Sequence, residues 1–139
     1  MKIDEGVIRK IIDHAKNDAP LEACGYLGES EGVIVEAYPM KNIDQSGEHF
    51  SFAPEEQFAV VRQMRGKGQR AAAVYHSHPS TPARMSNEDL RLAVDKSITY
   101  VIVSLTGNND EIKAFRFKDG QFCNDEIYRV GYNRISEDP

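Results

Sequence analysis

The 139-residue sequence has no tryptophan, only two cysteines and no long apolar run. Cys24 and Cys123 are too few for a disulfide framework, which argues against a small disulfide-stabilised secreted domain, so we expect both residues to be thiols. No apolar segment approaches the roughly 20 residues that a transmembrane helix needs. The N-terminus also lacks the apolar core of a signal peptide, so we expect a cytoplasmic protein that does not associate with membranes.

The sequence also lacks a basic segment, and its formal net charge is −5. An acidic chain of this size repels a phosphate backbone, so nucleic acid is not expected as a partner. Apolar residues make up 40% and charged residues 28% of the chain, a composition typical of globular proteins. The length suits one domain with one core, which we assign to residues 1–139.

Apolar spacing in residues 7–35 predicts a helix followed by a β-hairpin. The helix should end before Pro20, because the residue that precedes a proline avoids the helical region. Residues 24–28 and 33–35 are short apolar segments separated by a Glu-Gly turn, which indicates the two strands of a hairpin. The predicted helical face consists of Val7, Ile8, Ile11, Ile12 and Ala15.

The middle of the chain is expected to form a loop, a strand and a second helix. Residues 39–48 are polar, as is typical of a loop, whereas residues 49–52 alternate between polar and apolar side chains like a strand. Pro54 is well placed in the first turn of a helix. Three apolar residues are expected on the buried side of that helix: Phe58, Val61 and Met64.

The second half of the chain contains a continuous apolar run, 71–75, which predicts a central strand buried on both faces. A third helix begins near Ser86, and residues 98–105, 112–117 and 122–130 are expected to be strands. The order of elements predicts an α/β domain with a mixed sheet and helices packed against it. The third helix is expected to carry Leu90, Leu92, Ala93 and Val94.

Two histidines, His76 and His78, come at the end of the central strand. Because strand side chains alternate between faces, both imidazoles point to the same side and can bind one metal ion. Two prolines then direct the chain out of the sheet, toward a helix whose first turn contains Asp89 as a third ligand. Two histidines and one aspartate suit a single zinc ion with its fourth position left for water, although imidazole also suits other metals.

A hydrolytic zinc site also needs a base. Zinc lowers the pKa of coordinated water from 15.7 to about 7, and a nearby carboxylate can take the proton and pass it to a leaving amine. Glu22 is our candidate, because it precedes the glycine-containing strand 24–28. Cys24, two residues further on, points to the same side if the segment is extended, and we expect it to pack, with support of the site as the alternative.

Each feature alone has a structural explanation. A lone pair of histidines is often structural or solvent-exposed, since histidine is intermediate in burial. Ser86 and Asp89 also match a helix N-cap with an acidic first turn, a role compatible with a place in the site. We expect His14 to be a surface residue and His49 a bystander that could line the substrate side.

The combined pattern is more specific. The spacing His-x-His, seven residues, Ser, two residues, Asp is met by His76, His78, Ser86 and Asp89, and it resembles the JAMM motif of the JAB1/MPN/Mov34 (MPN-plus) metallopeptidases. That family also places a glutamate upstream in a Pro-x-Glu-x-Cys-Gly context, which residues 20–25 match. The resemblance, to small stand-alone prokaryotic members, implies the MPN/JAB fold, a mixed, mostly antiparallel central sheet flanked by helices and similar in architecture to cytidine deaminases.

By this resemblance, His76, His78 and Asp89 ligate one zinc ion. Glu22 acts as general acid/base, and Ser86 donates a hydrogen bond to the tetrahedral oxyanion. The implied reaction is hydrolysis of an amide or isopeptide bond. Small members of the family resemble enzymes that act at the C-terminus of ubiquitin-like sulfur-carrier proteins, where they trim the tail or release a cysteine adduct.

Two other functions stay open at this point. A non-catalytic MPN scaffold is expected to have an incomplete metal-binding set, whereas the set in this sequence is complete. A metal hydrolase of a small amide conjugate is the second alternative, although the sequence lacks the C-x-x-C pair of zinc deaminases. If the substrate is a protein tail, the tail could pair with a free strand edge, for which residues 42–52 are our candidate.

Overall fold

The computed structural model describes residues 1–131, which form three helices and eight strands. None of these helices is long and apolar enough to cross a membrane. In chain order the elements are β1 (Lys2–Asp4), α1 (Glu5–Asp18), β2 (Cys24–Ser30), β3 (Val33–Met40), α2 (Pro54–Gly66), β4 (Arg70–His78), α3 (Asn87–Leu92), β5 (Thr99–Ser104), β6 (Glu111–Lys118), β7 (Gln121–Asp125) and β8 (Tyr128–Val130).

All eight strands belong to one sheet with the order β7-β6-β5-β4-β2-β3-β1-β8. Three neighbouring pairs, β4–β5, β1–β3 and β1–β8, are parallel and the other pairs are antiparallel. The predicted α/β class with a mixed, mostly antiparallel sheet is therefore confirmed. The sheet curls strongly, because β7 and β8 are consecutive in the chain yet lie at its opposite edges, where the Met1 ammonium group approaches Asp125 Oδ2 to 3.8 Å.

Helices cover both faces of the sheet, and the sheet lies between two clusters of core residues. Helix α1 packs on one face through the predicted apolar stripe, in which Val7, Ile8, Ile11 and Ala15 are buried. Helix α2 packs on the other face, where Val60 and Met64 join a second cluster with Tyr26, Tyr38, Val74 and Tyr100. The candidate residues at the ends of β2 and β4, which are Glu22, His76 and His78, also lie on this second face.

Several predicted elements need correction. Residues 49–52 do not form a strand, and their alternation reflects the packing of Phe50 and Phe52 on the second core cluster. Residues 42–52 therefore provide no strand edge for a substrate tail. Strand β3 extends to Met40, two residues into the predicted loop, and the predicted segment 122–130 divides into β7 and β8 because the chain crosses from one sheet edge to the other.

One of the three residues predicted on the buried side of α2 is also wrong. Phe58 is 66% exposed, since it lies about 200° around the helix from Val60, which with Met64 defines the buried stripe. Helix α3 is only six residues long. Three of its four predicted apolar positions, Leu90, Leu92 and Val94, are exposed, and only Ala93 is buried.

Gly25 of β2 packs closely against atoms of both neighbouring strands, β3 and β4. This glycine lies opposite Tyr75, one residue before His76. A Cβ atom at position 25 would lie 2.3 Å from the Tyr38 carbonyl oxygen and 2.6 Å from Cε1 of Tyr75. Only a glycine lets the two neighbouring strands keep this spacing beside the site.

We expect Gly25→Ala to lower the free energy of unfolding by about 1–3 kcal/mol or more, because a backbone atom cannot move away from the new methyl group cheaply. Chemical denaturation of the purified variant measures this loss. Gly66→Ala is the matched control, since a Cβ at Gly66 meets no atom within 4 Å, and a change within about 1 kcal/mol, in the stabilising direction, is expected there. Equal stability of the two variants would contradict the proposed close packing.

Candidate metal centre

The C-terminal end of β4 places two imidazoles on one face of the sheet. His76 and His78 are two residues apart, and they are only 1% and 2% exposed. Between them Ser77 points to the opposite side, where its Oγ accepts a hydrogen bond from the Ala23 backbone N–H at 2.8 Å. The alternation that the sequence predicted is thus present, and a specific contact with β2 fixes it.

Helix α3 brings the third side chain to the same place. Ser86 is its N-cap, and Ser86 Oγ accepts a hydrogen bond from the Asp89 backbone N–H at 3.0 Å. Asp89 Oδ2 in turn accepts from the Ser86 backbone N–H at 3.0 Å. This reciprocal capping box confirms the structural interpretation of the pair, and it also orients the Asp89 carboxylate toward the two histidines.

The three side chains converge on one point. Asp89 Oδ1 lies 3.1 Å from His76 Nε2, and Asp89 Oδ2 lies 2.9 Å from His78 Nε2. The two Nε2 atoms are 3.2 Å apart. Zinc–ligand distances of about 2.0–2.1 Å separate tetrahedral ligand atoms by roughly 3.3 Å. The spacing of these buried N, N and O atoms therefore fits a shared metal ion, which His76, His78 and Asp89 could hold.

The histidine rings are oriented by different contacts. His78 Nδ1 donates to the Pro82 carbonyl oxygen at 2.8 Å, which leaves its Nε2 lone pair for a metal ion. His76 stacks on Phe50 with ring centroids 4.9 Å apart. Among the described residues, Nδ1 of His76 has no hydrogen-bond partner. One ring is thus held by a hydrogen bond and the other mainly by aromatic packing.

Burial and mutual contacts shift the pKa values of all three groups. Burial disfavours the charged form of His76 and lowers its pKa despite the nearby carboxylate. Burial acts in the same direction on His78, but hydrogen bonds to Asp89 and to the Pro82 carbonyl outweigh it and raise the pKa. For Asp89, burial is outweighed by the bonds from both histidines, which hold the pKa of the carboxyl far below its usual range. The site thus favours an ionised carboxylate and one neutral imidazole, the forms that bind metal.

Glu22 lies just before β2 and beside this cluster. Cys24 pairs with His76 and the Ser77 N–H donates to the Ala23 carbonyl at 3.0 Å, so the antiparallel register places Glu22 opposite His78. The Glu22 side chain is 2% exposed. Burial is the main reason that its pKa is raised to about 7, with His78 opposing the rise. Among the described residues its Oε1 has no hydrogen-bond partner.

A buried carboxyl with a pKa near 7 and an unpaired oxygen is suited to exchange protons. The structure therefore brings all five residues predicted from the sequence, Glu22, His76, His78, Ser86 and Asp89, into one region. The structure does not distinguish between the roles assigned to these five residues, so the roles stay predictions.

One residue that the sequence analysis missed, Asn42, organises the loop beside Glu22. Its Nδ2 donates to the carbonyl oxygens of Glu22 at 3.1 Å and His49 at 3.0 Å. Its Oδ1 accepts from the backbone N–H groups of Asp44 and Ser51. An asparagine in a polar segment was the available signal, but the sequence does not show that Asn42 is buried or that it bonds to Glu22, 20 residues earlier.

The other candidate residues have structural contacts. Cys24 is buried, its thiol lies 3.9 Å from the Met40 carbonyl, and burial raises its pKa to about 12. It is therefore a packed thiol and not a metal-binding thiolate. His14 is largely buried between Tyr75 and Asp18, contrary to the predicted surface location, and it is remote from the cluster because α1 covers the other face.

Two cavities flank the cluster. A narrow cavity of about 30 Å³ is lined by His76, Asp89, Phe50, His49 and other side chains of the second core face, and it confirms that His49 borders the site. A wider cavity of about 400 Å³ lies on the side of the β4–α3 loop. Its lining consists of His78, Thr81, Pro82, Arg84, Met85, Ser86 and Asn87.

Comparison with known proteins agrees with this geometry. The family described as prokaryotic homologs of the JAB domain matches residues 4–118. The CysO-cysteine peptidase of Mycobacterium tuberculosis is 31% identical over 124 residues, which cover 87% of this chain and 85% of the relative.

Two solved structures are also similar to this chain. The solution structure of a protein from Desulfitobacterium hafniense has a TM-score of 0.86 and 38% identity, covering 94% of this chain and 93% of that one. A structure described as JAMM, a metalloprotease-like zinc site in the proteasome and signalosome, has a TM-score of 0.61 and 25% identity, with 94% and 97% covered.

The raised pKa of Glu22 predicts a pH-dependent stability of protein stripped of metal by a chelator. The folded state holds this proton up to about pH 7, whereas the unfolded chain releases it near its ordinary value of about 4.5. The contribution of protonated Glu22 to the free energy of unfolding is therefore fully present below pH 4.5. It is lost as the pH rises through 7, a difference of roughly 3 kcal/mol.

Denaturation of wild type and Glu22→Gln between pH 4.5 and 8 measures this contribution of Glu22 to stability, because the glutamine cannot ionise and the two proteins share all other groups. The wild type should lose stability relative to the variant as the pH rises. Glu55→Gln, at an exposed position of α2, controls for loss of a charge. Parallel pH profiles for wild type and Glu22→Gln would show that Glu22 is not desolvated as described.

Proposed function

The chain belongs to the family of prokaryotic homologs of the JAB domain, and from that premise we propose that it is a zinc-dependent peptidase of the JAMM type. Its substrate is an amide or isopeptide bond at the C-terminus of a ubiquitin-like sulfur-carrier protein. The observation that carries this proposal is the convergence of His76, His78 and Asp89 beside the buried Glu22. We place the enzyme in the cytoplasm.

The residues that would hold the zinc ion are His76, His78 and Asp89, whose ligand atoms have the separations that a tetrahedral site needs. When bound, zinc lowers the pKa of water and polarises the carbonyl group of the substrate. The structure described as a JAMM zinc site supports zinc over other metals, as does the combination of two imidazoles with one carboxylate.

Glu22 moves the proton in this reaction. Its Oε1 accepts a proton from the attacking water, and the water oxygen forms a bond to the carbonyl carbon. The C–N bond then breaks as Glu22 returns the same proton to the leaving nitrogen, which departs as an amine. A pKa of about 7 suits both steps, because the group can take and release a proton near neutral pH. The unpaired position of Oε1 leaves it available to water.

Ser86 stabilises the negative charge that develops on the carbonyl oxygen. In the capping box its Oγ accepts a hydrogen bond from the backbone of Asp89, which leaves the hydroxyl hydrogen for donation. The residue is only partly buried and lines the wider cavity together with His78. A donor fixed by a helix terminus stabilises the oxyanion without having to reorganise during the reaction.

The substrate class is inferred from the similarity to the CysO-cysteine peptidase. The site fits such a tail, because the narrow cavity beside His76 leaves little space for a large side chain and glycines are small enough to pass. The group released on the C-terminal side of the scissile bond can be a trimmed peptide or a single cysteine. In both cases the bond broken is an amide at the end of a protein.

The proposal is tested by incubating the zinc-loaded chain with ubiquitin-like sulfur-carrier proteins extended at the C-terminus. Mass spectrometry of the products should show a shortened carrier whose mass identifies the cleaved bond. Small amide conjugates of cysteine are included in parallel. Cleavage of the small conjugates alone would reject a protein substrate, and absence of all cleavage by protein of full zinc content would reject the enzymatic proposal.

Glu22→Gln and Asp89→Ala should separate proton transfer from metal binding. Glu22→Gln should keep its zinc and lose about 10²–10⁴-fold in kcat, because a general base is removed while the ligands stay in place. Asp89→Ala should lose zinc, which elemental analysis measures. Near-normal turnover of Glu22→Gln would refute the role of Glu22, and full zinc occupancy of Asp89→Ala would refute its role as a ligand.

Ser86 needs a variant that separates its two roles. Ser86→Asp keeps a side-chain acceptor for the helix cap but, when ionised, has no hydrogen to donate, so it should retain stability and lose about 100-fold or more in kcat. Ser86→Ala should lose the same activity and in addition about 1 kcal/mol of stability. If Ser86→Asp has full activity, the hydroxyl does not stabilise the transition state and the residue serves only as a cap.

A further inference from the structure

The middle of the loop between β4 and α3, residues 81–83, is held in place by hydrogen bonds. The Ser104 hydroxyl donates to the Thr81 carbonyl oxygen at 2.6 Å, and His78 donates to the Pro82 carbonyl. Ala83 is buried, and its N–H donates to Glu111 Oε1 at 3.3 Å. The three backbone positions before Arg84 are thus each fixed by a contact to the body of the domain.

Arg84 follows this fixed segment, and it is exposed. Its own N–H donates to the Pro82 carbonyl at 2.9 Å, while its side chain lines the wider cavity that also borders His78 and Ser86. No hydrogen bond or ion pair of the guanidinium group is formed within residues 1–131. The nearby Glu88 is already paired with Arg91.

The cavity therefore has a distinct chemistry. Within residues 1–131, Arg84 is its only charged lining residue apart from the imidazole of His78, and Thr81 and Asn87 add polar groups. The chain as a whole has a net charge of −5, so an uncompensated guanidinium beside the candidate centre is not a feature of a generally basic surface. A guanidinium group binds a carboxylate through two parallel hydrogen bonds, which gives both affinity and orientation.

We propose that Arg84 binds the free α-carboxylate of the amino acid that leaves, so that the chain removes a single C-terminal residue and disfavours bonds inside a longer tail. This inference rests on the proposed function, because it assigns the wider cavity to the leaving side of the scissile bond. Arg84 is a specificity-determining residue under this proposal. It takes no part in proton transfer.

The test compares a free C-terminal carboxylate with the corresponding amide. The first substrate pair is a ubiquitin-like sulfur-carrier protein extended by one alanine, prepared as the acid and as the amide. For the zinc-loaded wild type, kcat/KM should be about tenfold or more higher for the acid, the effect of one hydrogen-bonded charge pair. In Arg84→Met this ratio should fall to about one, and Arg84→Lys should keep part of it.

A binding measurement makes the test independent of turnover. The zinc-loaded Glu22→Gln protein is titrated calorimetrically with acetylated glycyl-glycyl-alanine as acid and as amide, with and without Arg84→Met. The acid should bind about tenfold more tightly than the amide, and only when Arg84 is present. Arg9→Met, an exposed position on α1 on the other face of the sheet, is the matched control for loss of one positive charge.

The outcomes distinguish the two proposals. If the acid-to-amide ratio in Arg84→Met equals that of the wild type in both measurements, the assignment of Arg84 is overturned, even where Arg84→Met weakens acid and amide together. If the wild type cleaves neither carrier, the proposed function fails, while the binding ratio still decides whether Arg84 recognises a carboxylate.

Discussion

The antiparallel pairing of β2 with β4 determines which side chains meet at the candidate centre. Its register places Cys24 opposite His76, and by continuation it places Glu22 opposite His78. A shift of one residue would move both histidines to the α1 face of the sheet. Two contacts prevent such a shift: Ser77 bonds to the backbone of Ala23, and Gly25 admits Tyr75 at a distance that a side chain would block.

The buried groups at this centre cost stability, and their arrangement is therefore best explained by function. Glu22, His76, His78 and Asp89 are all buried, and ionisable groups in such an environment are costly unless each is paired. Asp89 is paired with two histidines, but Glu22 keeps an oxygen without a partner among the described residues. The two apolar clusters stabilise the fold, whereas these four groups carry the shifted pKa values typical of reactive sites.

Short-range patterns predicted the centre, because its decisive relations lie within a few residues of one another. Alternation along β4 relates His76 to His78, and helical spacing relates Ser86 to Asp89. Glu22 was a candidate because it precedes a glycine-containing strand, but only the resemblance made the prediction specific, since no local pattern distinguishes it from an exposed glutamate. The sheet class followed from the order of elements, but β1 was too short to be recognised, and no local pattern indicates that β7 and β8 lie at opposite edges.

Errors occurred where tertiary packing determines the environment of a residue. Phe50 and Phe52 alternate with polar residues as a strand would, yet they lie in a loop because Asn42 supplies the backbone partners that a neighbouring strand would otherwise provide. Phe58 is apolar in a helical pattern but lies off the stripe of α2 that meets the sheet. Both cases depend on contacts between distant parts of the chain.

The two loops that border the candidate centre are both held by hydrogen bonds to other parts of the structure. One is held by Asn42 and contributes Phe50 against His76, and the other is held by Ser104 and Glu111 and contributes Arg84. Because their backbones are bonded to the body of the domain, their side chains have fixed positions beside the candidate centre. Under the proposals made above, selectivity would reside in the narrow side and the cationic side of this preformed cleft.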